Sequence, residues 1–420
     1  MTSTRYELAT IEGHDMAPVY NGTDAASAVD ALKLTRRQWR HRDGNYDIIK
    51  YDKGFLSFDR VPTAGLLRSV ICKNGKILCF APPKAMEPQR FEESYTPDAC
   101  VIEEYVEGTM INVFWDQTIG DEGDWEIATR SSVGAKMAFF TAGSVTPSDT
   151  FRGMFLETCN NVGLEFDYLD KSLCYSFVLQ HPKNRIVVPF SRTSLYLVAC
   201  YKIDNETKTI TSIPREEPGN KLRVAGADIR YPEPRGEWSS WDELKAKWAS
   251  GNTEYRHVGV MVYHKETGTR TKFRNPNYEM VRKLRGNQPK EQYRYLSLRS
   301  QGKMREYLQY YPEDKESFNM YRNQVHDFTK QLHSNYLSCY VRKEDPLRRY
   351  PYQYRTHMYE LHQRYIETLR PQGGAVTKSV VIEYVNGLHP AKLMFSLNYS
   401  MRQNLRDEQV AEEEQEVVSC

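Results

Sequence analysis

The residues from Ile102 to Asp116, which read IEEYVEGTMINVFWD, carry the clearest chemical pattern in this chain. A tyrosine, an acid, a glycine and a threonine stand close together at Tyr105, Glu107, Gly108 and Thr109. The alternating apolar residues that follow predict a strand. A phenol ordinarily titrates near pH 10, so at neutral pH it carries no positive charge and is a weak nucleophile. The glycine suits a turn into the strand or a close approach of backbone to a ligand.

A second pattern lies in the segment RTKFR, where Lys272 and Arg274 alternate along a predicted strand. Alternation places both cations on one side of the strand. An ammonium and a guanidinium on one side suit contact with phosphate oxygens. The same alternation is also typical of the solvent face of an ordinary strand, so this interpretation stays open.

The segment around Tyr105 resembles motif I of the ATP-dependent RNA ligases, a family of the nucleotidyltransferase superfamily. That motif is Lys-x-Asp/Glu-Gly-Thr/Ser followed by alternating apolar residues. In the family the lysine amine attacks the α-phosphate of ATP and carries AMP as a phosphoramidate. Val106, Glu107, Gly108 and Thr109 match the motif, whereas Tyr105 occupies the place of the lysine.

Further segments resemble the family in the same order over residues 60–285, most closely the phage tRNA-repair type. LLRSVICKNGKILCF places Arg68 on an arginine that meets ATP phosphates, and EIATRSSVGAK places Arg130 after a strand. YSFVLQHPKNRIVVPF resembles motif III, and VGVMVYHKETGTRTKFRNPNY resembles motifs IV and V. The agreement in order and spacing favours the family over a chance match.

The same resemblance implies that catalytic groups have been replaced. Ser176 stands for the motif III acid that contacts the ribose, and Val258 for the motif IV acid that helps hold the metal. Valine offers no oxygen to Mg²⁺. The implied nucleotide-binding residues are Arg68, Glu107, Gly108, Arg130, Ser176, Lys272 and Arg274, with Tyr105 in the catalytic position and no metal ligand.

Length and charge fit a protein of more than one domain. The chain has 420 residues, of which 40% are hydrophobic and 27% charged, as in globular proteins. The net charge of +2 is unevenly spread, because residues 279–404 hold roughly 21 Lys/Arg against 12 Asp/Glu and the last fourteen residues hold six acids and no base. A basic segment before an acidic tail indicates a nucleic-acid surface, or simply a soluble one.

The eight cysteines are scattered, without a CxxC pair or a Cys/His cluster. This pattern predicts neither a zinc site nor a disulfide framework. The first residues show no apolar signal core, and no run approaches about 18 apolar residues. We therefore expect a protein of a reducing intracellular compartment, the cytoplasm or nucleus or a virus-infected cell, with no membrane partner.

The predicted fold class is α+β, an antiparallel-sheet nucleotidyltransferase (adenylation) domain followed by a mostly helical domain. Residues 1–30 are expected to be irregular, 31–286 to form the ligase-like domain, 287–404 to be helical, basic and tyrosine-rich, and 405–420 to form an acidic tail. Predicted strands are Thr109–Trp115, Trp125–Thr129, Cys174–Leu179, Leu195–Ile203 and Val258–His264. Predicted helices are Phe151–Val162, Ser240–Trp248, Glu291–Arg299, Gly302–Tyr310, Lys315–Tyr340, Pro351–Leu369 and Thr377–Asn386.

The leading hypothesis is a pseudoenzyme, a degenerate member of the family such as those of large DNA viruses. It would bind RNA, or a nucleotide, through a basic cleft and through helices in which tyrosines alternate with arginines. Those tyrosines could instead line a helical core. One alternative is an active ligase that uses ATP and Mg²⁺ with an atypical nucleophile, such as Lys84. Another alternative is a structural or virion-associated protein that kept only the fold. The leading hypothesis needs no cofactor, and the oligomeric state is not predicted.

Overall fold

The computed structural model describes residues 3–23, 26–42, 44–138, 145–288 and 290–404. The chain divides into two units, Met1–Lys283 and Leu284–Cys420. The division lies close to residue 287, where the sequence pattern changes from strands to helices. The expected acidic tail, 405–420, falls outside the described residues.

The described part of the first unit contains both strands and helices. Its strands are β1 (Arg5–Glu7), β2 (Thr10–Ile11), β3 (His14–Asp15), β4 (Leu34–His41), β5 (Gly44–Tyr51), β6 (Val70–Lys73), β7 (Lys76–Phe80), β8 (Cys100–Glu104), β9 (Thr109–Asp116), β10 (Asp124–Thr129), β11 (Ser132–Val133), β12 (Leu173–Gln180), β13 (Ser194–Asp204), β14 (Thr209–Ile213), β15 (Ile229–Arg230), β16 (Gly259–His264) and β17 (Arg270–Arg274). Its helices are α1 (Ala17–Asn21), α2 (Ala26–Ala31), α3 (Pro88–Ser94), α4 (Phe151–Val162), α5 (Glu216–Val224) and α6 (Trp241–Trp248), and α7 (Pro276–Arg285) spans the division.

The strands of this unit form one large sheet and smaller ones. The large sheet has the order β1-β14-β13-β12-β9-β10-β11, with β15 beside β13 in the one parallel pairing among the described strands. A four-stranded sheet has the order β4-β5-β6-β7, a three-stranded sheet the order β17-β16-β8, and β2 pairs with β3. The predicted α+β class with antiparallel sheets is confirmed.

Helix α4 packs on one face of the large sheet. Its buried Met154 and Phe155 lie in one core with Phe177 and Leu179 of β12. Because side chains alternate across a strand, Ser176 belongs to the opposite face of β12. The predicted helix Phe151–Val162 has these bounds in the structure, since Thr150 caps it by accepting from the N–H of Gly153 at 3.0 Å.

The three-stranded sheet is covered on one face by α3 and α6. Phe91 of α3 and Leu244 of α6 share a buried core with Ile102, Val260 and Phe273. These sheet residues belong to one side of β8, β16 and β17, so the residues that alternate with them lie on the other side. That second face holds the candidate functional residues.

Residues 1–30, expected to be irregular, carry regular structure in their described part. Strand β1 extends the large sheet by pairing with β14. Leu8, Met16 and Val19 are fully buried, and the Tyr20 hydroxyl donates to the Leu8 carbonyl at 2.8 Å. The apolar residues of this segment belong to a short strand and a short helix, so they do not repeat at one regular spacing. The sequence therefore gives only a weak signal, although the side chains are buried in the core.

The described part of the second unit is helical. Its helices are α8 (Glu291–Ser300), α9 (Met304–Tyr310), α10 (Lys315–Tyr336), α11 (Tyr352–Arg364), α12 (Lys378–Gly387) and α13 (Pro390–Leu397), with π-helical turns at Leu337–Val341 and Tyr365–Leu369 that continue α10 and α11. The predicted helical back half is confirmed. Helix α13 was not predicted; Pro390 at its first position and His389 as its cap, accepting from Ala391 N–H at 3.2 Å, are the signals that mark its start.

Seven of the fifteen tyrosines in residues 287–404 belong to the core of this unit. These are Tyr295, Tyr307, Tyr311, Tyr321, Tyr336, Tyr350 and Tyr354, which are buried. Tyr352 and Tyr359 are more than half exposed, at 57% and 53%. The buried rings are not available for stacking on an RNA base. Among the described helices of the whole chain, none is both long and apolar enough to cross a membrane.

Candidate functional site

Strand β17 presents three cations on one face. Thr271 and Phe273 are buried, whereas Arg270, Lys272 and Arg274 are partly exposed on the alternate side. Residues two apart on a strand are separated by about 6.8 Å along it. We call Arg270, Lys272 and Arg274 the cation face.

Tyr105 lies at one end of the cation face. Its backbone N–H donates to the Gly259 carbonyl at 3.4 Å, which keeps it beside β16 after β8 has ended. Its hydroxyl oxygen accepts a hydrogen bond from Arg274 Nη2 at 3.2 Å, and the guanidinium carbon is 5.6 Å from the ring centre. Burial acts to lower the pKa of Arg274, but Tyr105 and the ion-paired Glu279 hold it above its ordinary value.

Two further cations lie near the cation face. Arg68 donates through Nη1 to the Pro82 carbonyl at 3.3 Å, and Lys84 donates through Nζ to the Ala85 carbonyl at 3.1 Å. Burial, and then Arg270, lower the pKa of Arg68 to about 10. Burial, followed by Arg68 and Arg270, also lowers the pKa of Lys84. Arg68, Lys84 and Arg270 are therefore close enough for the charge of one to change the pKa of another.

Lys272 has the most perturbed amine of this group. Burial, followed by the charges of Arg274, Lys84 and Arg68, lowers its pKa to about 7. Within the described residues, no carboxylate lies within 4.0 Å of the charged nitrogens of Lys272, Arg270, Lys84 or Arg68, whereas Arg274 pairs with Glu279. The site therefore holds an excess of positive charge in a partly desolvated place.

Arg130 stands beside Arg68. Its Nε donates to the Arg68 carbonyl at 3.4 Å, and its guanidinium lies over the Tyr51 ring at 5.4 Å. Its own carbonyl accepts from Ser69 Oγ at 3.0 Å. The turn between β10 and β11 is thus fastened to the segment that carries Arg68, and this brings two sequence-predicted phosphate contacts together.

The motif I turn owes its shape to Gly108 and Glu107. Gly108 has φ 150°, and a Cβ there would overlap the Leu179 carbonyl, so only glycine fits. The two carboxylate oxygens of Glu107 accept from the N–H groups of Val187 and Val188 at 2.6 and 3.0 Å. Burial raises the pKa of Glu107 to about 7, although these amides oppose the shift. Glu107 therefore holds the chain that follows β12.

Ser176 and Val258 offer no carboxylate in the two places where the family resemblance implies one. Ser176 is fully buried and its Oγ donates to Asn112 Oδ1 at 2.8 Å. Val258 is 8% exposed, and its carbonyl accepts from the Asn275 N–H at 3.0 Å. In the described ranges, no three His, Cys, Asp or Glu side chains are grouped so that they could hold a metal ion. Mg²⁺ would need oxygen ligands that these two positions do not supply.

The structure gathers some of the predicted residues and separates others. Tyr105, Lys272 and Arg274 lie together near Arg68 and Arg130, whereas Glu107 and Ser176 are engaged in buried contacts of their own. The sequence motifs do not include Arg270, and they suggest Lys84 only as an alternative nucleophile. The signal for Arg270 was present in RTKFR, where cations stand at every second position of a strand.

One comparison by sequence finds an RNA ligase. Over 135 residues the chain is 27% identical to the RNA ligase of Rhodothermus phage RM378, and this stretch covers 31% of the chain and 30% of that ligase. No protein-family model matches the chain. The matched stretch is thus less than a third of the relative's length.

Comparison by structure finds Naegleria gruberi RNA ligase. One mutant form with ATP and Mn has a TM-score of 0.36 at 11% identity, covering 66% of this chain and 86% of that one. Another, also with ATP and Mn, has a TM-score of 0.35 at 12% identity, covering 49% and 58%. Alignments with TM-scores this low do not establish a shared fold. The resemblance to RNA ligases, which the motifs indicate, is confirmed by the phage match over about a third of the chain.

Proposed function

We propose that this protein binds the phosphates of RNA, or of a nucleotide, through the cation face and does not adenylylate itself. The observation that carries the proposal is the group Arg68, Lys84, Arg270 and Lys272, which has no carboxylate partner among the described residues. Like charges brought together out of water repel one another. A phosphate would offset that repulsion, and successive phosphates could meet successive cations of β17.

The chemistry for adenylylation is missing from the same place. Self-adenylylation needs a neutral nucleophile at the α-phosphate and metal ions that offset charge on the triphosphate. The Tyr105 hydroxyl is held by Arg274, and Ser176 and Val258 bring no carboxylate. A site that keeps cations but has no lysine at position 105 and no carboxylate at positions 176 and 258 supports binding rather than catalysis.

RNA is favoured over a free nucleotide as the partner by the second unit. Its basic residues outnumber its acidic ones, and it exposes Tyr352 and Tyr359. Cations beside exposed aromatic rings suit single-stranded RNA, whose backbone is charged and whose bases stack. We therefore propose this unit as an additional RNA surface, with the cation face as the principal one.

The test is the salt dependence of binding to a short single-stranded RNA. We expect a straight log–log plot whose slope is about −0.7 for each phosphate contact. The double change Lys272→Gln with Arg274→Gln should weaken binding and flatten the slope by roughly 1.4, because two contacts are lost. The matched control, Lys221→Gln with Lys247→Gln, removes two cations from α5 and α6 and should leave the slope unchanged. No binding at low salt, or equal slopes for both double variants, would rule out the cation face as the RNA site.

A second function is favoured by one observation. The Lys272 amine, with its pKa near 7, is partly neutral at physiological pH, as a nucleophile must be. In this alternative the Lys272 nitrogen attacks the α-phosphorus of ATP, the bond to pyrophosphate breaks, and the amine proton passes to solvent. AMP mapped to Lys272 by mass spectrometry would establish this atypical ligase chemistry in place of simple binding.

A further inference from the structure

The first unit contains a cavity that the ligase-like motifs do not describe. It has a volume of about 680 Å³ and is walled by residues 4–6 near β1, residues 82–84, β13, the start of α5 and the β16–β17 hairpin. Tyr105, Ser176, Lys272 and Arg274 are not among its lining residues. Arg270 and Lys84 are, so the cavity adjoins the cation face at its Arg270 end. We call it the β1 cavity.

The cations of the β1 cavity differ in how they are neutralised. Arg215 forms a buried ion pair with Glu103, and Arg5 pairs with Glu7 at 2.7 Å. Arg270 and Lys84 have no carboxylate partner among the described residues, and each donates to a backbone carbonyl. The buried Nε of Arg270 has no hydrogen-bond partner in the described structure. A guanidinium and an ammonium that both lack a carboxylate partner suit an anionic group.

The rest of the wall is partly aromatic and apolar and partly polar. Tyr6 and Tyr201 lie edge to face, with ring centres 6.5 Å apart, and Tyr263 also lines the cavity. Valine, proline, leucine and isoleucine side chains add apolar surface, and threonine, serine, histidine and glutamate side chains add polar surface. Pockets of about 300–1,000 Å³ with apolar walls and a few polar groups are typical of small-molecule sites. The composition suits a ligand with one flat ring system and one phosphate.

We propose that the β1 cavity binds a nucleoside monophosphate group, with the phosphate at Arg270 and Lys84 and the base among Tyr6, Tyr201 and Tyr263. The group could be a free nucleotide or the terminal nucleotide of an RNA strand, because both present the same chemistry. The proposal rests on the proposed function for its two cations, Arg270 and Lys84, and adds to it the aromatic part of the cavity. Of the residues named for the site, Tyr6 lies before the stretch 60–285 that resembles the family.

The experiment measures binding of AMP, GMP, CMP and UMP to the full chain by calorimetry. Ala199→Phe places a ring in the cavity from β13, and Arg270→Gln removes the guanidinium without adding bulk. Ala246→Phe, on the exposed side of α6, is the matched control for an added ring. Arg274→Gln changes the cation face outside the cavity. Thermal unfolding of each variant shows whether it has folded.

We expect at least one mononucleotide to bind, and Ala199→Phe and Arg270→Gln each to weaken it by roughly tenfold or more. Ala246→Phe should have little effect. If Arg274→Gln abolishes binding and Ala199→Phe does not change it, the nucleotide lies on the cation face and the proposal is overturned. The absence of binding by all four mononucleotides would overturn it too, whatever the RNA result.

Short RNAs with a 5′-phosphate, a 3′-phosphate or no terminal phosphate distinguish the two sources. If a terminally phosphorylated RNA displaces the mononucleotide and the RNA without a terminal phosphate does not, the ligand is a strand end. Mononucleotide binding that no RNA displaces would identify a free nucleotide. Equal competition by all three RNAs, unaffected by Ala199→Phe, would contradict a terminal-nucleotide site.

Discussion

Tyr105 replaces a titratable amine with a phenol whose oxygen accepts a hydrogen bond from Arg274 at 3.2 Å. The exchange removes one charge from a place already crowded with cations and gives Arg274 a neutral acceptor. Arg274 is further held by Glu279. Tyr105 therefore stabilises the charged form of the neighbouring Arg274 guanidinium, which suits the binding site that we propose.

Lys272 gives a prediction about pH at the scale of one residue. Its pKa is lowered from 10.5 to about 7, so its amine should become reactive as the pH rises through 7 rather than near 10. Pyridoxal phosphate, an anionic aldehyde that forms an imine with neutral amines, followed by borohydride reduction, would label it. We expect mass spectrometry to show half-maximal labelling of Lys272 near pH 7.

The variant Arg274→Gln tests the cause of this shift, because it removes the charge that contributes most, after burial, to the lowered pKa of Lys272. The midpoint for Lys272 should then move upward. Labelling of Lys272 that begins only near pH 10 in the unmodified protein would show that its surroundings do not perturb it.

At the scale of elements, two glycines allow strands to approach each other around the site. Gly108 precedes β9 against the Leu179 carbonyl, and Gly259 begins β16 against the Phe273 carbonyl. Both have positive φ, 150° and 126°. The chain between β8 and β9 can therefore turn tightly, and Tyr105 is delivered beside Arg274 by this turn.

Gly108→Ala should destabilise the protein more than Gly120→Ala. Both glycines have positive φ, but a Cβ at Gly120 meets nothing within 4 Å. The control, Gly120→Ala, should lower the free energy of unfolding by about 1–2 kcal/mol, because an alanine is strained in this backbone conformation. Gly108→Ala should lose roughly 3 kcal/mol or more, since backbone must move as well. Equal losses in denaturant unfolding would show that the close approach to Leu179 has no energetic role.

The elements also show what sequence could predict. Strand β9 and helix α4 stand out because one apolar period runs through each, and the Ser240 cap of α6 is a local signal, accepting from Glu243 N–H at 3.2 Å. Strand β1 could not be found in this way, since three residues hold no period and their partner β14 is about 200 residues away.

Some features of the candidate site could likewise be predicted from the sequence, and others could not. The register of Tyr105, Lys272 and Arg274 follows from motif spacing and strand alternation, so sequence could place them. The engagement of Glu107 by the N–H groups of Val187 and Val188 depends on a contact across 80 residues. The β1 cavity depends on several distant segments, and no local pattern predicts it.

At the scale of the whole molecule, a net charge of +2 conceals local concentrations of charge. Fields of exposed charges fade over about 8 Å at physiological ionic strength. The group Arg68, Lys84, Arg270 and Lys272 therefore acts as a local site, whatever the sum over the chain. The buried tyrosines of the second unit serve its core, so the RNA surface that we propose there would consist mainly of exposed arginines and lysines and of the exposed rings.

The most direct test of the central claim is incubation of the protein with α-labelled ATP and Mg²⁺ or Mn²⁺, followed by denaturing electrophoresis and mass spectrometry. We predict no AMP adduct on the unmodified chain. We predict none on Tyr105→Lys alone either, because that amine would still lack a carboxylate-held metal. A robust adduct on the unmodified protein, at Lys272, Lys84, Tyr105 or any other residue, would show that this is an altered active site and not an inactive one.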